Sequence, residues 1–320
     1  MAKDTTPKTV SFVLPFFNEQ GNVGKFFEHL LAVLTTLNAY RFELILVDDG
    51  SEDATLRELR RLCQSFPAEG PITAHLVSFT RNFGKEIAMT AGLDISSGDA
   101  VVIMDTDLQH PPESIPAFLA QWETGEKLVI GQRTNRKTDT LLYRFFAETF
   151  HSLHNRLSNL NLPRGTGDFR LVDRQIVSQL VTLRERQRFL RGLFAWLGYE
   201  PCIVQYEVQS RHRGRSSYNH WRSWNLALEG ITSFSTVPIR LWTYLGLVVS
   251  IAGFGYGFYV VILTLLYGAK TPGYASLMSL VLLIGGLNLI GLGMMGEYIG
   301  RIHAEVKDRP IYVIETHETF

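Results

Sequence analysis

AVVIMDTDLQH, residues Ala100 to His110, is the stretch that decides the predicted fold. Five apolar residues, typical of a buried strand, run directly into Asp105, Thr106 and Asp107. Two carboxylates one residue apart at the end of a buried strand need a compensating cation, and their hard oxygen atoms suit Mg2+ or Mn2+. The stretch therefore predicts a divalent metal site beside a nucleotide phosphate, with a structural turn as the alternative.

Apolar runs and helical periodicities alternate on both sides of this stretch, which predicts an α/β domain built on a parallel sheet. Strands are expected at 9–14, 42–47, 73–79, 101–104, 127–130 and 202–208. Helices are expected at 22–37, 53–66, 85–95, 113–123, 140–160 and, in more than one piece, 174–197. Ligands of such sheets bind beyond the carboxyl ends of the strands, so motifs at those ends are site candidates.

The overall composition argues against a nucleic-acid partner. Lys and Arg number 31 and Asp and Glu number 31, which leaves no net charge to attract a phosphate backbone. The N-terminus has no apolar core preceded by positive charge, so we expect no signal peptide and a cytoplasmic catalytic domain. Cys63 and Cys202 are expected to be reduced, buried thiols, because no CxxC pattern suggests zinc or a disulfide.

The apolar C-terminal part predicts a membrane hairpin. Residues 241–266 carry no charge and span roughly 39 Å as a helix, enough to cross a hydrocarbon core of about 30 Å. Residues 273–296 repeat the pattern after a short connection that holds Lys270. Both ends of the hairpin face one side, which flanking basic residues mark as cytoplasmic. These residues are Arg240, Arg301, Lys307 and Arg309. The glycine pairs Gly253/Gly257 and Gly296/Gly300 are candidate helix contacts.

Four parts are therefore predicted: a cytoplasmic catalytic domain at 1–215, an interfacial amphipathic helix at 216–238, the hairpin at 239–300, and a cytoplasmic tail at 301–320. Trp221 and Trp224 favour a helix in the headgroup layer, with an ordinary core helix as the alternative. Both termini are expected to be cytoplasmic. The tail carries a strand pattern at 309–316 that is available to a neighbour's sheet, so we expect a homo-oligomer.

Three further motifs end predicted strands. LPFFNE closes the first strand, where a nucleoside could bind; such residues also cap helices. LILVDDGS closes the second, and two adjacent acids there favour contacts to ribose or base over a simple turn. TRNFGKE follows the third strand. Its side chains offer hydrogen-bond donors to a diphosphate; the alternative is that the motif only begins a helix. In these motifs, the candidates for binding a nucleotide-containing donor substrate are Pro15, Asn18, Glu19, Asp48, Asp49, Arg81 and Lys85.

Two later motifs complete the candidate chemistry. In GTGDFRL, glycines let Asp168 approach a ligand closely, as a general base or as a partner of Arg170. The arginines of the basic loop, residues 210–218, carry planar guanidinium groups that suit phosphate. The alternative is that the loop is only a solvated run of charges. Arg211 is one of the candidates for phosphate in this loop. Candidates for an acceptor phosphate are Arg133, Arg144, Arg213 and Ser216.

These motifs in this order resemble the glycosyltransferase family 2 enzymes that load polyprenyl phosphates, specifically the bactoprenol glucosyltransferase group. The resemblance rests on PxxNE, DDGS, RNFGK, DxDxQ with PPE, GDFRL, RxxGxS and the terminal hairpin. It implies a GT-A (Rossmann-like) fold, a nucleotide-sugar donor, Mg2+ or Mn2+, and inverting transfer to undecaprenyl phosphate at the inner cell membrane. A tetramer is the assembly it favours.

The resemblance also implies roles for individual residues. Glu19 and Asp48 contact the nucleoside, and Arg211 contacts the phosphates. Asp107, with Asp105 and Gln109, holds the metal. Asp168 is the candidate base. Because an acceptor phosphate monoester is largely ionised at pH 7, Asp168 has less need to abstract a proton than to orient a substrate.

The expected reaction is hexose transfer, with UDP-glucose as donor, for cell-envelope glycan modification. A polyprenyl- or dolichol-phosphate mannosyltransferase that uses GDP-mannose is the alternative. A processive polysaccharide synthase requires a QxxRW motif, which QRFLRG at 187–192 does not match. A non-enzymatic flippase or scaffold subunit is disfavoured because the acidic motifs are intact.

Overall fold

The computed structural model describes residues 7–67, 70–134, 166–186, 188–207, 237–267 and 273–320. The chain divides into two compact units. One unit comprises residues 1–223 together with 309–320, and the other comprises residues 224–308.

The first unit is built on a mixed sheet with the strand order β7-β5-β6-β4-β1-β2-β3-β8. In the described part of the chain, the strands are β1 (Lys8–Phe16), β2 (Tyr40–Asp48), β3 (Ile72–Phe79), β4 (Ala100–Ile103), β5 (Leu128–Arg133), β6 (Thr166–Asp173), β7 (Cys202–Tyr206) and β8 (Ile314–Thr319). The helices are α1 (Val23–Leu34), α2 (Thr55–Cys63), α3 (Lys85–Ile95), α4 (Ile115–Glu123), α5 (Arg174–Leu180) and α6 (Leu190–Trp196).

The four central strands β4, β1, β2 and β3 are parallel, because a helix crosses back between each strand and the next along the chain. This part confirms the predicted α/β alternation. The predicted parallel arrangement holds for these strands but not for the whole sheet, because β6 runs antiparallel to β4 and β5, and β8 runs antiparallel to β3. An antiparallel strand begins at the edge where its neighbours end. The start of β6 therefore lies at the carboxyl edge of the parallel strands.

Helices packed on the sheet hold these strand ends in place. The rings of Phe16 and Phe27 stack with centroids 6.1 Å apart, and Phe26 meets Phe16 edge-on. Burial of each ring contributes about 1.5–3 kcal/mol. Helix α3 lies so close to β1 that a Cβ at Gly92 would overlap Val13. The loops that leave the carboxyl edge thus start from a rigid base.

The second unit contains two long helices, α7 (Val237–Tyr267) and α8 (Tyr274–Val306). The stretches Trp242–Tyr267 and Leu283–Val306 are long and apolar enough to cross a membrane. The helices meet where the indole of Trp242 packs on Gly291, leaving no room for a Cβ.

The expected glycine contacts in this hairpin were wrong for the single chain. In the described residues nothing lies within 4 Å of a Cβ built on Gly253, Gly257, Gly296 or Gly300. The helices approach instead at Gly291, where the missing side chain leaves room for the indole of Trp242.

The C-terminal strand corrects a further expectation. β8 lies at Ile314–Thr319, later than the predicted 309–316, and it pairs with β3 of its own chain. Arg60 on α2 binds Glu318 through two nitrogens, with a shortest distance of 2.6 Å. The tail strand therefore pairs with its own sheet, and not with a neighbour's as expected, and it covers the edge of β3.

A buried carboxylate ties three parallel strands together. Glu43 on β2 accepts hydrogen bonds from Ser11 Oγ (2.5 Å) and from the backbone and hydroxyl of Ser97 (both 2.8 Å). Its Oε1 lies 3.4 Å from Nε2 of His75 on β3. Burial raises the pKa of Glu43, but the bonds from His75, Ser11 and Ser97 outweigh it and lower the pKa to about 2.

Replacement of this carboxylate is expected to destabilise the fold in a pH-dependent way. We expect Glu43→Gln to reduce the free energy of unfolding by about 2–3 kcal/mol at pH 7. Because the folded-state pKa is depressed, the difference is complete above about pH 4.5 and disappears as the pH falls towards 2. Denaturant unfolding of the full chain in detergent measures it, with exposed Glu28→Gln on α1 as the control. An equal difference at pH 7 and pH 3 would contradict the assignment.

Candidate active site

The candidate site lies at the carboxyl edge of the sheet, where five strands bring polar residues together. β1 leads to Asn18 and Glu19, β2 to Asp48, and β4 to Asp105. β5 ends at Arg133, and the antiparallel β6 begins beside Asp168. The pairing of Ile103 with Arg170 sets β4 against β6 so that the two acidic motifs are adjacent.

The centre of the site is a cluster of alternating charges. Lys85 Nζ lies 2.5 Å from Asp105 Oδ1 and 2.6 Å from Asp168 Oδ2. Arg191 Nε on α6 donates to Asp168 Oδ1 at 2.7 Å. Asp168 is therefore held by cations on both carboxylate oxygens. Arg170, the partner considered from the sequence, instead donates to the carbonyl oxygen of Gly167 at 2.9 Å.

These contacts set the charge of Asp168. Burial disfavours the anion, but Lys85 and Arg191 outweigh it and hold the pKa of Asp168 well below its usual range. Burial likewise opposes the charge of Lys85, yet Asp105 and Asp168 raise its pKa. An anion this well stabilised is a weak base, which favours an orienting role for Asp168 over proton abstraction.

Sequence reasoning missed Arg191 on α6 and the residue that supports it, Glu86 on α3. Glu86 Oε2 accepts the backbone N–H of Leu190 at 2.9 Å and so caps the start of the helix that carries Arg191. Burial and the neighbouring Asp168 raise the pKa of Glu86 to about 7. Lys85 and Glu86 are adjacent in RNFGKE, and Arg191 lies in RFLRG. Nothing in the local sequence indicates that these two stretches come together in the fold.

A second missed residue, His110, shapes the acidic loop. Its Nδ1 accepts the backbone N–H of Asp105 at 2.9 Å, and its ring stacks on Phe169 with centroids 5.1 Å apart. Burial lowers the pKa of His110. A neutral ring that accepts at Nδ1 carries its proton on Nε2. His110 thus fixes the backbone of Asp105 without adding charge.

The paired acids after β2 have different surroundings. Asp48 accepts from Ser78 Oγ at 3.2 Å and from Ser51 N at 3.3 Å, while its buried Oδ1 has no hydrogen-bond partner among the described residues. Asp49 accepts the backbone N–H groups of Phe83 at 2.6 Å and Gly84 at 2.9 Å. Burial raises the pKa of both carboxyls. Only Asp48 keeps an acceptor available for a ligand; Asp49 holds the RNFGK loop.

The remaining donor-site candidates mostly secure neighbouring loops. Asn18, with φ 53°, accepts from Glu52 N at 2.9 Å and so links the β1 and β2 loops. Glu19 accepts from the side chain of Asn22. The Pro15 carbonyl accepts from Thr106 Oγ1 at 3.1 Å. The guanidinium of Arg81, an exposed residue, lies 4.0 Å from the ring centroid of Phe83.

Three predicted residues follow β4 and β5. Asp107 Oδ1 accepts the backbone N–H of Gln109 at 3.1 Å. Arg133 donates to Gln109 Oε1 at 3.3 Å and to the Tyr206 hydroxyl at 3.4 Å. The acceptor-phosphate candidate Arg133 thus contacts the metal-ligand candidate Gln109. Tyr206 is a further residue that the sequence did not point to.

The carboxylates of Asp105 and Asp107 and the amide oxygen of Gln109 are the candidate ligands for a divalent cation. In the described parts of the chain no group of three or more His, Cys, Asp and Glu side chains is arranged to hold a metal. Two carboxylates and an amide oxygen are nonetheless hard ligands that suit Mg2+ or Mn2+ once diphosphate oxygens complete the shell. The ammonium of Lys85 already provides positive charge beside Asp105. The residues therefore fit a metal shared with a substrate.

Four predicted site residues lie outside the described residues, together with the predicted helices at 140–160 and 216–238. They are Arg144, Arg211, Arg213 and Ser216.

Comparison with known proteins identifies the family. The model of glycosyl transferase family 2 matches residues 11–181, just over half of the chain. The chain belongs to glycosyltransferase family 2. It is a glycosyltransferase with a GT-A fold, as predicted from its motifs, and a second model, the GtrB C-terminal hairpin, matches residues 237–302.

Relatives of this glycosyltransferase match along almost their whole length. A prophage-derived bactoprenol glucosyl transferase of Shigella flexneri is 45% identical over 96% of this chain and 97% of its own. An uncharacterized glycosyltransferase of Synechocystis is 42% identical over 95% and 94%. A solved Pyrobaculum calidifontis mannosyltransferase with GDP-Man and Mn2+ is 18% identical, covering 97% of this chain and 90% of that one, with a TM-score of 0.47.

The state of Asp168 predicts how its replacement behaves. We expect Asp168→Asn to lower kcat by about 100-fold or more at every pH from 6 to 9, because an anion with a low pKa does not titrate in that range. Asp173→Asn, at the other end of β6, is the control and is expected to keep kcat within about twofold. Near-normal turnover of Asp168→Asn with intact donor binding would refute an essential role.

Proposed function

We propose that this glycosyltransferase transfers a hexose, glucose from UDP-glucose, to undecaprenyl phosphate with inversion and with a divalent metal. The observation that carries the proposal is the charge-balanced cluster of Asp105, Lys85, Asp168 and Arg191 at the ends of the sheet strands. It provides both acids and cations for a sugar diphosphate in a chain that continues into two apolar helices. The product is a lipid-linked sugar for cell-envelope glycan modification.

On the donor side, the residues divide between nucleoside and diphosphate. The unpartnered Oδ1 of buried Asp48 suits an N–H or O–H donor of the nucleoside. Arg81, on the loop before α3, and Lys85, the first residue of α3, supply positive charge for the diphosphate. Arg191 adds a third cation next to Lys85, since both contact Asp168.

Asp107, with Asp105 and Gln109, would hold Mg2+ or Mn2+. When bound, the metal neutralises negative charge on the departing diphosphate. Lys85 contributes to the same charge balance from the side of Asp105.

The acceptor chemistry follows from charge. A phosphate monoester is largely ionised at pH 7 and attacks the anomeric carbon with little help from a base. Asp168, kept anionic by Lys85 and Arg191, then orients the sugar or the acceptor. Arg133, beside Gln109, is our candidate for holding the acceptor phosphate, with Arg144, Arg213 and Ser216. Direct attack opposite the leaving diphosphate inverts the anomeric centre.

A polyprenyl acceptor explains the hairpin, because its hydrocarbon tail stays in the bilayer while its phosphate reaches a water-exposed site. We propose that α7 and α8 span the cytoplasmic membrane and that the catalytic domain and both termini are cytoplasmic. The division at 1–215, 216–238, 239–300 and 301–320 and a homo-oligomeric state, a tetramer, belong to the same proposal. The bactoprenol glucosyl transferase names of relatives at 43–45% identity support the acceptor.

The donor and acceptor are tested with the purified full chain in detergent. Undecaprenyl phosphate and Mg2+ or Mn2+ are combined with a panel of labelled UDP- and GDP-sugars. Sugar transfer to lipid from UDP-glucose is the expected result. Transfer from GDP-mannose alone would favour the mannosyltransferase alternative, and donor hydrolysis without lipid product would overturn the acceptor assignment.

The metal assignment has its own prediction. We expect Asp107→Ala to lower kcat by about 100-fold or more and to weaken Mn2+ binding in the presence of UDP, followed by electron paramagnetic resonance. Glu113→Gln is a matched control, because Glu113 is an exposed acid close by whose side chain pairs with His29. Full activity of Asp107→Ala in excess chelator would sink the metal-dependent mechanism.

A further inference from the structure

The C-terminal segment 309–320 reaches the candidate site through aromatic contacts. Tyr312, six residues after the end of α8, stacks on Phe79 with ring centroids 5.3 Å apart and an interplanar angle of 17°. Phe79, the last residue of β3, meets Phe83 edge-on at 5.6 Å. Phe83 belongs to the loop of residues 80–84, directly before Lys85. A continuous row of three rings therefore runs from the C-terminal segment to the RNFGK loop.

Polar contacts fix Tyr312 and the backbone next to it. The Tyr312 hydroxyl donates to Asp94 Oδ2 at 2.9 Å, and Asp94 also pairs with Arg184 at 2.8 Å. The backbone N–H of Thr80 donates to the carbonyl oxygen of Val313 at 3.2 Å. Tyr312 is thus attached to α3, which begins at Lys85 and carries Asp94 near its end.

The loop is also held from the side of β2, where the backbone of Arg81 packs on Gly50. Asp49 accepts the N–H groups of Phe83 and Gly84, and Gly84 has a φ of 103° that a residue with a side chain rarely adopts. Lys85 then begins α3 and reaches Asp105 and Asp168. A small shift of Phe83 would therefore move the ammonium that balances both acids.

We propose that Tyr312 is a positioning residue that holds loop 80–84, and with it Lys85, in place for the donor diphosphate. Tyr312 acts through Phe79, Phe83 and α3 and touches no substrate. The segment that follows the second apolar helix thereby contributes to donor binding. The donor part of this inference rests on the function proposed above; the loop part rests on the contacts alone.

The chain offers a matched control at the other end of the same C-terminal segment, residues 309–320. Glu318 on β8 binds Arg60 on α2, opposite Leu76 in the register and away from the loop. Glu318→Gln weakens the docking of β8 without touching the row of rings. A purely structural role of the C-terminal segment predicts similar effects from both ends, whereas a positioning role predicts an effect on the loop from Tyr312 only.

Two variants grade the effect. We expect Tyr312→Phe, which loses only the bond to Asp94, to raise the Kd for UDP with Mn2+ about two- to threefold, measured by isothermal titration calorimetry on the full chain. Tyr312→Leu also loses the stacked ring and is expected to raise it about tenfold. The KM for the sugar donor rises in parallel while the KM for undecaprenyl phosphate stays unchanged. Glu318→Gln leaves all three constants within about twofold.

Hydrogen exchange tests the loop without any ligand. Peptides that cover residues 80–87 are expected to exchange at least about fivefold faster in Tyr312→Leu than in Glu318→Gln, at temperatures equally far below each unfolding midpoint. Equal exchange in the two variants would overturn the proposal. If the wild type binds neither UDP nor GDP, the proposed function fails, and the exchange result still decides whether Tyr312 positions the loop.

Discussion

A buried carboxylate that stays charged needs positive partners close by, and Asp168 imposes this constraint on the whole site. Lys85 and Arg191 occupy its two oxygens, and Lys85 also serves Asp105. Each cation is in turn fixed by its own element: Lys85 begins α3, and Arg191 sits in a helix whose start is capped by Glu86. The arrangement keeps acidic and basic side chains ionised next to one another, which suits a diphosphate substrate with its metal.

The sheet topology makes this charge balance possible. Parallel strands bring their carboxyl ends to one edge, and an antiparallel strand inserted among them brings its amino end to the same edge. Asp105 at the end of β4 and Asp168 at the start of β6 therefore meet, although 63 positions separate their numbers in the chain. A parallel β6 would place Asp168 at the opposite edge.

The sequence predicted the elements and motifs that local patterns encode. The apolar runs of β1 to β4, the DxDxQ turn and the two long apolar helices all follow from neighbouring residues. The antiparallel β6, the cap from Glu86 to Leu190 and the pairing of β8 with β3 join residues far apart, such as the 104 positions between Glu86 and Leu190. Whether a strand pattern at 309–316 meets its own sheet or a neighbour's is decided by geometry that no local window contains.

Pairing of β8 with β3 has a consequence for biosynthesis. His75 and Thr319, which face each other in this pair, are 244 positions apart, and Phe320 closes the ladder by exchanging hydrogen bonds with Ala74. Residues 314–320 must therefore be synthesised and leave the ribosome before the outer edge of β3 can be covered. Until then the nascent chain presents an open strand edge, although both apolar helices, which precede β8 in the chain, have already been synthesised. The catalytic sheet is therefore completed only after these helices.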